Sequence, residues 1–197
     1  MVKKGAFIFV LFISYFMSTA LFAQKKNDFK RDGIIKASLT ITPGIMLEKD
    51  AINSYLHGFL EYYPEKSISL RGEAYFYTGD DRKMKMFEWH HFLLFGGVYH
   101  FGEGRFDTFI GLEPGISITK INTSLMSEKT DIVEPDPEVI PLITVSTGVN
   151  YYISNFFHVF LSFHYINGTL HNSLTNSESI DEIRISGGLG FNLDLKN

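Results

Sequence analysis

The chain has 197 residues, a formal net charge of −4, no cysteine, and an aromatic content of 15%. The absence of cysteine excludes disulfides, thiol chemistry and zinc sites built from thiolates. The acidic balance provides no clustered basic patch of the kind that binds nucleic acid, so we expect no nucleic-acid partner.

The first 23 residues have the pattern of a secretory signal peptide. Lys3 and Lys4 form a short basic head, an apolar run extends from Gly5 to Met17, and small residues then lead to Gln24. A retained membrane helix needs about 20 apolar residues, and this run is shorter. We therefore predict an exported chain in which residues 1–23 are cleaved off.

Beyond a short periplasmic segment, 24–34, apolar and polar residues alternate with a period of two. Such alternation places every second residue on one face of a β-strand. In the first segment Ile35 and Leu39 fall on one face, while Lys36 and Ser38 fall on the other. Eight segments with this pattern are predicted to be strands: 35–47, 52–63, 67–77, 86–101, 106–119, 140–152, 156–166 and 180–193.

The connections between the predicted strands alternate between short and long. Three are tight turns rich in Gly, Pro, Asn and Ser: Pro64–Lys66, Gly102–Arg105 and Ile153–Asn155. Short turns at one end and longer loops at the other are typical of membrane β-barrels, with the short turns on the periplasmic side. We predict an all-β fold, an eight-stranded antiparallel up-and-down transmembrane β-barrel, over residues 35–195. The four longer connections are 48–51, 78–85, 120–139 and 167–179.

The two faces of the predicted strands differ in side-chain size, because one carries bulky apolar residues and the other small ones. An eight-stranded barrel is only just wide enough for side chains to fill it. We therefore predict that the bulky face contacts lipid and the small face lines the lumen. In the alternative, a soluble lipocalin-type barrel, the apolar face would lie inside. The small residues of the predicted inner face are Ser38, Thr40, Gly44, Gly111, Gly115, Ser117, Thr144, Ser146, Gly148, Ser186, Gly188 and Gly190.

Aromatic residues are concentrated beside the three short turns. On a barrel, residues beside these turns lie at one height, where aromatic rings suit the boundary between hydrocarbon and water. We predict an aromatic girdle at that height. Its members are Tyr62, Tyr63, Tyr99, Phe101, Phe106, Tyr151, Tyr152, Phe156 and Phe157.

The chain resembles the small outer-membrane barrels of the OmpA and OmpX type over residues ~33–195. The resemblance lies in the patterns of Ile110–Thr119, Thr147–Tyr152 and Ile185–Leu193. It implies a bacterial outer-membrane location, surrounding outer-membrane lipid, and insertion by the barrel-assembly machinery, which reads an aromatic residue at the end of the last strand. Here Phe191 is the last aromatic residue, and six residues come after it.

Charged residues on the predicted inner face indicate a lumenal charge network, because buried charges are tolerated only when they are paired or wetted. We expect Arg71 and Arg184 to pair with Glu61, Glu73 or Glu113. The favoured interpretation is a plug that fills the barrel. The alternative resembles the proposed gate of OmpA, in which re-pairing opens a narrow pore. The predicted network comprises Lys36, Glu61, Arg71, Glu73, Glu113 and Arg184.

No residue set predicts catalysis, and we expect no metal or cofactor. Glu88 shares a predicted face with His90, and His158 shares one with His164, but neither pair completes a known metal-ligand spacing. The stretch from His164 weakly resembles the His-x-Ser-Asn motif of outer-membrane lipid A deacylases. Ile166 replaces the serine there, which leaves an acyl transfer without its nucleophile. We therefore predict a non-enzymatic barrel with a structural or surface-interaction role; a lipid-modifying barrel enzyme is the remaining alternative.

Overall fold

The computed structural model describes residues 29–49, 51–81, 86–102, 104–122, 136–170 and 178–195. The predicted signal peptide lies outside these residues. None of the described residues lies in a helix long and apolar enough to cross a membrane.

Eight long antiparallel strands close into a ring, which confirms the predicted fold class. Each strand pairs with its neighbour in sequence, and the last strand also pairs with the first. A two-residue strand, β8, pairs only with the end of β7. The strands are β1 (Ile34–Met46), β2 (Ile52–Glu65), β3 (Ile68–Asp80), β4 (Phe87–Phe101), β5 (Phe106–Ile121), β6 (Glu138–Tyr152), β7 (Phe157–Leu170), β8 (Glu178–Ser179) and β9 (Glu182–Asp194).

The two ends of the barrel differ as predicted. The short connections β2–β3, β4–β5 and β6–β7 lie at one end, here called the turn end, together with the start of β1. The remaining connections lie at the opposite end, called the loop end. Strand β7 continues to Leu170, beyond the predicted boundary at 166. The extension is stable because the side chain of Asn167, on the outer rim, donates a hydrogen bond to Asp181 instead of facing the lumen.

Bulky apolar side chains cover the outer wall, as the sequence predicts. Leu39, Ile41 and Phe95 are 69%, 74% and 62% exposed, whereas Ser38 and Thr42, next to the first two in sequence, turn inward. So large an exposed apolar surface is suited to hydrocarbon rather than to water. The inner wall carries the polar and ionisable side chains, and these define the site described below.

The backbones of the first and last strands, β1 and β9, pair along only part of their length. Residues Ile34–Ser38 of β1 pair with Gly190–Asp194 of β9, and pairing resumes at Gly44 opposite Arg184 with no change of register. Pro43, which has no backbone N–H to donate, lies in the interval between the two paired stretches. Side chains bridge the interval instead, because the hydroxyl of Thr40 donates a hydrogen bond of 2.8 Å to the carbonyl of Gly187.

Candidate functional site

Two residues that precede β1 lie inside the turn end of the lumen. Arg31 reaches into the barrel, where its guanidinium lies 2.7 Å from the carboxylate of Asp107 and also donates to the carbonyl of Gly102. The ring of Phe29 stacks on that of Tyr152 with 4.3 Å between centroids. Phe29 and Arg31, from the described part of the predicted periplasmic segment, therefore lie in the mouth of the barrel.

Glu61 is the centre of the charge network above that mouth. Lys36, Arg71 and His100 each place a nitrogen 2.9 Å from its carboxylate oxygens. The other ring nitrogen of His100 lies 2.8 Å from Asp107. The histidine thus links the carboxylate held by Arg31 to the carboxylate at the centre of the network.

Halfway up the lumen, Glu73, Glu113, His57 and His164 form a group that we call the mid-barrel cluster. Nε2 of His57 and Nε2 of His164 lie 3.4 Å and 3.2 Å from the same carboxylate oxygen of Glu73. One ligand atom from each of Glu73, Glu113 and His164 lies within 4.8 Å of the others, and all three side chains are buried. The guanidinium of Arg71 borders the cluster, 3.5 Å from Glu73 and 3.9 Å from Glu113.

Arg184 fills the lumen between the mid-barrel cluster and the loop end. Its guanidinium carbon lies 4.0, 4.4 and 3.8 Å from the ring centroids of Tyr55, Tyr75 and Phe92. Its Nε donates a hydrogen bond of 2.6 Å to Glu182. The predicted partners of Arg184 were therefore wrong: a carboxylate two residues away along β9 is already in reach, whereas Glu61, Glu73 and Glu113 pair with Arg71.

Two clusters of apolar side chains lie at the loop end of the lumen. One buried cluster consists of Met46, Ala51, Met86 and Phe87, with Tyr77 packed against it. A second cluster lies at the same end, beside β6 and β7. Its members are Ile140, Leu170, Ile180 and, partly buried, Ile121.

The predicted aromatic girdle needs one correction. Tyr63 and Tyr152 point into the lumen, where both are buried and their hydroxyls lie 3.3 Å apart. Each is next in sequence to an outward tyrosine, so alternation along a strand must turn one of the two inward. Phe106 is half-buried. The remaining girdle residues are exposed on the outer wall: Tyr62, Tyr99, Phe101, Tyr151, Phe156 and Phe157.

The predicted face shared by Glu88 and His90 is also wrong. A bulge between Phe87 and Trp89 adds one residue to β4, so Glu88 lies outside and pairs with Lys120 at 2.7 Å. His90 points inward and is fully buried. His158 and His164 both face the lumen. Six positions apart on one strand, they are separated by about 20 Å and cannot share an ion.

Sequence analysis missed three charged residues of the lumen: Arg31, Asp107 and Glu182. Two of them fall on the inner face of a predicted strand, because Asp107 has the same parity as Glu113 and Glu182 the same parity as Arg184. Extending each alternation to the strand ends would have found them. Arg31 precedes the first strand and gives no periodic signal.

Neither a protein-family model nor a curated protein sequence matches the chain. Solved structures do match it. Neisserial surface protein A is similar with a TM-score of 0.55 at 11% identity, over 82% of this chain and 96% of that one. Ail, the attachment invasion locus protein of Yersinia pestis, is similar with a TM-score of 0.52 at 10% identity, over 82% and 99%. A structure of Ail in complex with the heparin analogue sucrose octasulfate has a TM-score of 0.53 at 12% identity, over 82% and 99%.

These similarities are structural, and at such low identity they concern the fold alone. The chain has the fold of the small eight-stranded transmembrane β-barrels, which is the fold class predicted from its sequence.

Proposed function

We propose that the protein is a non-conducting, non-enzymatic barrel of the bacterial outer membrane with a structural or surface-interaction role. In this proposal it is exported with a cleaved signal peptide, inserted by the barrel-assembly machinery and surrounded by outer-membrane lipid. The loop end then faces the cell exterior, because the short turns of such barrels lie on the periplasmic side.

The observation that carries the proposal is the presence of buried side chains at every level of the described lumen. Arg31 occupies the turn end, the network around Glu61 lies above it, and Arg184 is enclosed by three aromatic rings nearer the loop end. Apolar clusters that include Phe87 and Ile140 lie at the loop end. An eight-stranded barrel has no width to spare beside such side chains.

The surface-interaction part rests on the structural neighbours. Both are small barrels whose names place them at a cell surface or in attachment, and one was solved with a heparin analogue. A role of that kind would be carried by the loop end.

A non-enzymatic role is supported by the orientation of the weak deacylase-like motif. His164 and Ile166 face the lumen and are buried. Asn167 lies on the outer rim, bonded to Asp181. The three positions do not share a lipid-facing surface on which an acyl chain could be attacked.

A narrow gated pore is the second candidate, and one contact favours it. Arg71 lies near three carboxylates at once, those of Glu61, Glu73 and Glu113. A guanidinium with three acceptors in reach has alternative pairings available, and re-pairing is what a gate of this type requires.

Planar-bilayer recording separates the two candidates. We expect the purified barrel to give no steady current at either polarity, in bilayers where a wide-lumen porin conducts. Steady currents that depend on the charge of the permeant ion would support the gated pore and contradict the plugged barrel.

Membrane fractionation and gel migration before and after heating test the location: a closed barrel sediments with the outer membrane and migrates differently when unheated. Recovery as a soluble periplasmic protein would contradict the proposal.

A further inference from the structure

The contacts of the mid-barrel cluster are longer than those of the network below it. His100 contacts its two carboxylates at 2.9 and 2.8 Å, which are normal lengths for charge-assisted hydrogen bonds. Around Glu73 the imidazole nitrogens of His57 and His164 lie at 3.4 and 3.2 Å. The histidine contacts of the cluster are therefore long, whereas Glu73 and Glu113 each also accept a hydrogen bond of 2.7 Å, from the hydroxyls of Tyr75 and Ser146.

The longer separations agree with the spacing of atoms around a metal ion. Zinc binds imidazole nitrogen and carboxylate oxygen at about 2.0–2.2 Å in tetrahedral geometry, which places neighbouring ligand atoms about 3.3–3.6 Å apart. The two imidazole nitrogens already approach that distance from one oxygen of Glu73. Ligand atoms of Glu73, Glu113 and His164 already lie within 4.8 Å of one another, and His57, which is outside that group of three, completes the set by moving toward the oxygen of Glu73 that it already faces.

Three buried atoms of the cluster have no hydrogen-bond partner among the described residues: Nε2 of His57, Oε2 of Glu113 and Nδ1 of His164. The first points toward Glu73 and therefore into the cluster. Nδ1 of His57 lies 3.4 Å from the hydroxyl of Thr42. A ring held through one nitrogen while the other faces a carboxylate is the usual arrangement of a metal-ligating histidine.

At the mid-barrel cluster, the buried carboxylates outnumber the buried Lys and Arg side chains that pair with them. Asp107 pairs with Arg31, Glu182 pairs with Arg184, and Glu61 has Lys36 and Arg71. Glu73 and Glu113 both lie near Nη1 of Arg71, at 3.5 Å and 3.9 Å, while Nη2 of the same guanidinium contacts Glu61. Two buried carboxylates with less than one full cation between them are stabilised by a further positive charge, which a metal ion or a proton can supply. In the described part of the lumen the carboxylates are Glu61, Glu73, Asp107, Glu113 and Glu182, and the cations of Lys and Arg are Arg31, Lys36, Arg71 and Arg184.

We propose that the mid-barrel cluster binds one divalent first-row transition-metal ion, with Glu73, Glu113, His57 and His164 as ligands. Mixed imidazole and carboxylate ligands suit ions such as Zn²⁺ and Co²⁺, whereas Ca²⁺ and Mg²⁺ prefer sites made of oxygen alone. Buried side chains lie at both ends of the described lumen, so the ion enters as the barrel folds. Once bound, it links β2, β3, β5 and β7 across the lumen.

Refolding in the presence of metal tests the proposal. The chain without an affinity tag is refolded from urea into detergent micelles with Zn²⁺, Co²⁺ or Ca²⁺, and loosely bound ions are removed with a chelator. Elemental analysis of the folded fraction should find one Zn²⁺ or Co²⁺ per chain and no Ca²⁺. X-ray absorption at the zinc edge should show a nitrogen and oxygen shell at about 2.0–2.1 Å with scattering from imidazole rings.

Two single variants and one matched control assign the ligands. His164→Gln and His57→Gln should each weaken zinc retention more than tenfold, because loss of an outer-shell partner alone already costs about 10- to 100-fold. His90→Gln removes an imidazole that is equally buried but belongs to another part of the lumen, and it should retain the metal fully. Folding of each variant is checked by its gel migration before heating.

Three results would overturn the proposal. They are a correctly folded wild-type barrel without stoichiometric metal, an absorption spectrum without imidazole scattering, and a His164→Gln barrel that holds zinc as tightly as the wild type. The spectrum is recorded on the wild-type protein, so the test remains decisive even if a variant fails to fold.

Discussion

The guanidinium of Arg31 lies 2.7 Å from the carboxylate of Asp107, and the two side chains are 1% and 0% exposed. The first belongs to the segment before β1 and the second to the start of β5, on the far side of the ring. This ion pair connects the segment before β1 to the opposite wall of the barrel at the turn end.

Removing Arg31 should destabilise the barrel strongly. Arg31→Ala leaves Asp107 buried without its ion-pair partner, and breaking a buried pair in this way costs about 3–5 kcal/mol. Urea unfolding in lipid or detergent measures the loss. Lys30→Ala removes a neighbouring exposed charge and should change the free energy of unfolding by less than about 0.5 kcal/mol. Equal losses in the two variants would show that Arg31 does not stabilise the barrel through this ion pair.

The orientation of the outer wall can be tested with a charge at mid-height. Leu39 lies near the middle of β1 and points outward, so Leu39→Arg places a guanidinium in hydrocarbon. The expected cost is about 2–4 kcal/mol in a bilayer, whereas Leu195→Arg, beyond the end of β9, should cost about 0–1 kcal/mol. The measurement is reversible unfolding from lipid vesicles. A well-tolerated Leu39→Arg would mean that this wall faces water.

Two adjacent glycines of β4 should respond differently to the same substitution. A Cβ on Gly96 would meet the carbonyl of Leu112 and lie 2.7 Å from Cα of Glu113, whereas a Cβ on Gly97 meets nothing within 4 Å. Gly96→Ala should therefore cost about 1–3 kcal/mol through overpacking. Gly97→Ala, which differs only in direction, should be nearly neutral. Similar unfolding free energies for the two variants would place β4 in a different phase.

Adjacent tyrosines at the end of β6 test the corrected girdle. Tyr152 is buried against Phe29 and Tyr63, so Tyr152→Ala should cost about 3–5 kcal/mol, as for other buried aromatic residues. Tyr151 is 47% exposed on the outer wall, and Tyr151→Ala should cost clearly less. The comparison is made in the same lipid by equilibrium unfolding. The reverse order would restore Tyr152 to the girdle and place Tyr151 inside.

The fold could be predicted from the sequence because two local signals agree. Alternation fixes which residues share a face, and the small residues of one face, such as Ser146 and Gly148, fit only a narrow interior. Alternation is clear in most strands, although β4 is apolar on both faces, and the small inner residues come from β1, β5, β6 and β9. An error in one strand therefore does not change the topology. The same signals located Arg71 and Glu73 inside without any knowledge of their partners.

The pairing of charges could not be predicted, because it depends on which side chains of different strands lie at the same level of the lumen. The position of a residue along its own strand does not give that level. Arg184 pairs with Glu182 of its own strand, while Arg71 lies near carboxylates of β2, β3 and β5.

The bulge at Glu88 interrupts the alternation of inward and outward residues in β4, because one extra residue shifts the phase of the strand on one side of it. The loops of the chain fall largely outside the described residues.

The interval in the β1–β9 ladder gives the cylinder one joint that differs from all the others. Every other neighbouring pair of long strands is either fully laddered or connected directly by a turn or loop. No turn or loop connects β1 to β9, and at mid-height the hydroxyl hydrogen bonds of Thr40 and Thr42 take the place of backbone pairing. Heat or detergent should therefore separate the two chain ends first. The tube would then unroll into a flat sheet along this line, before any hairpin opens.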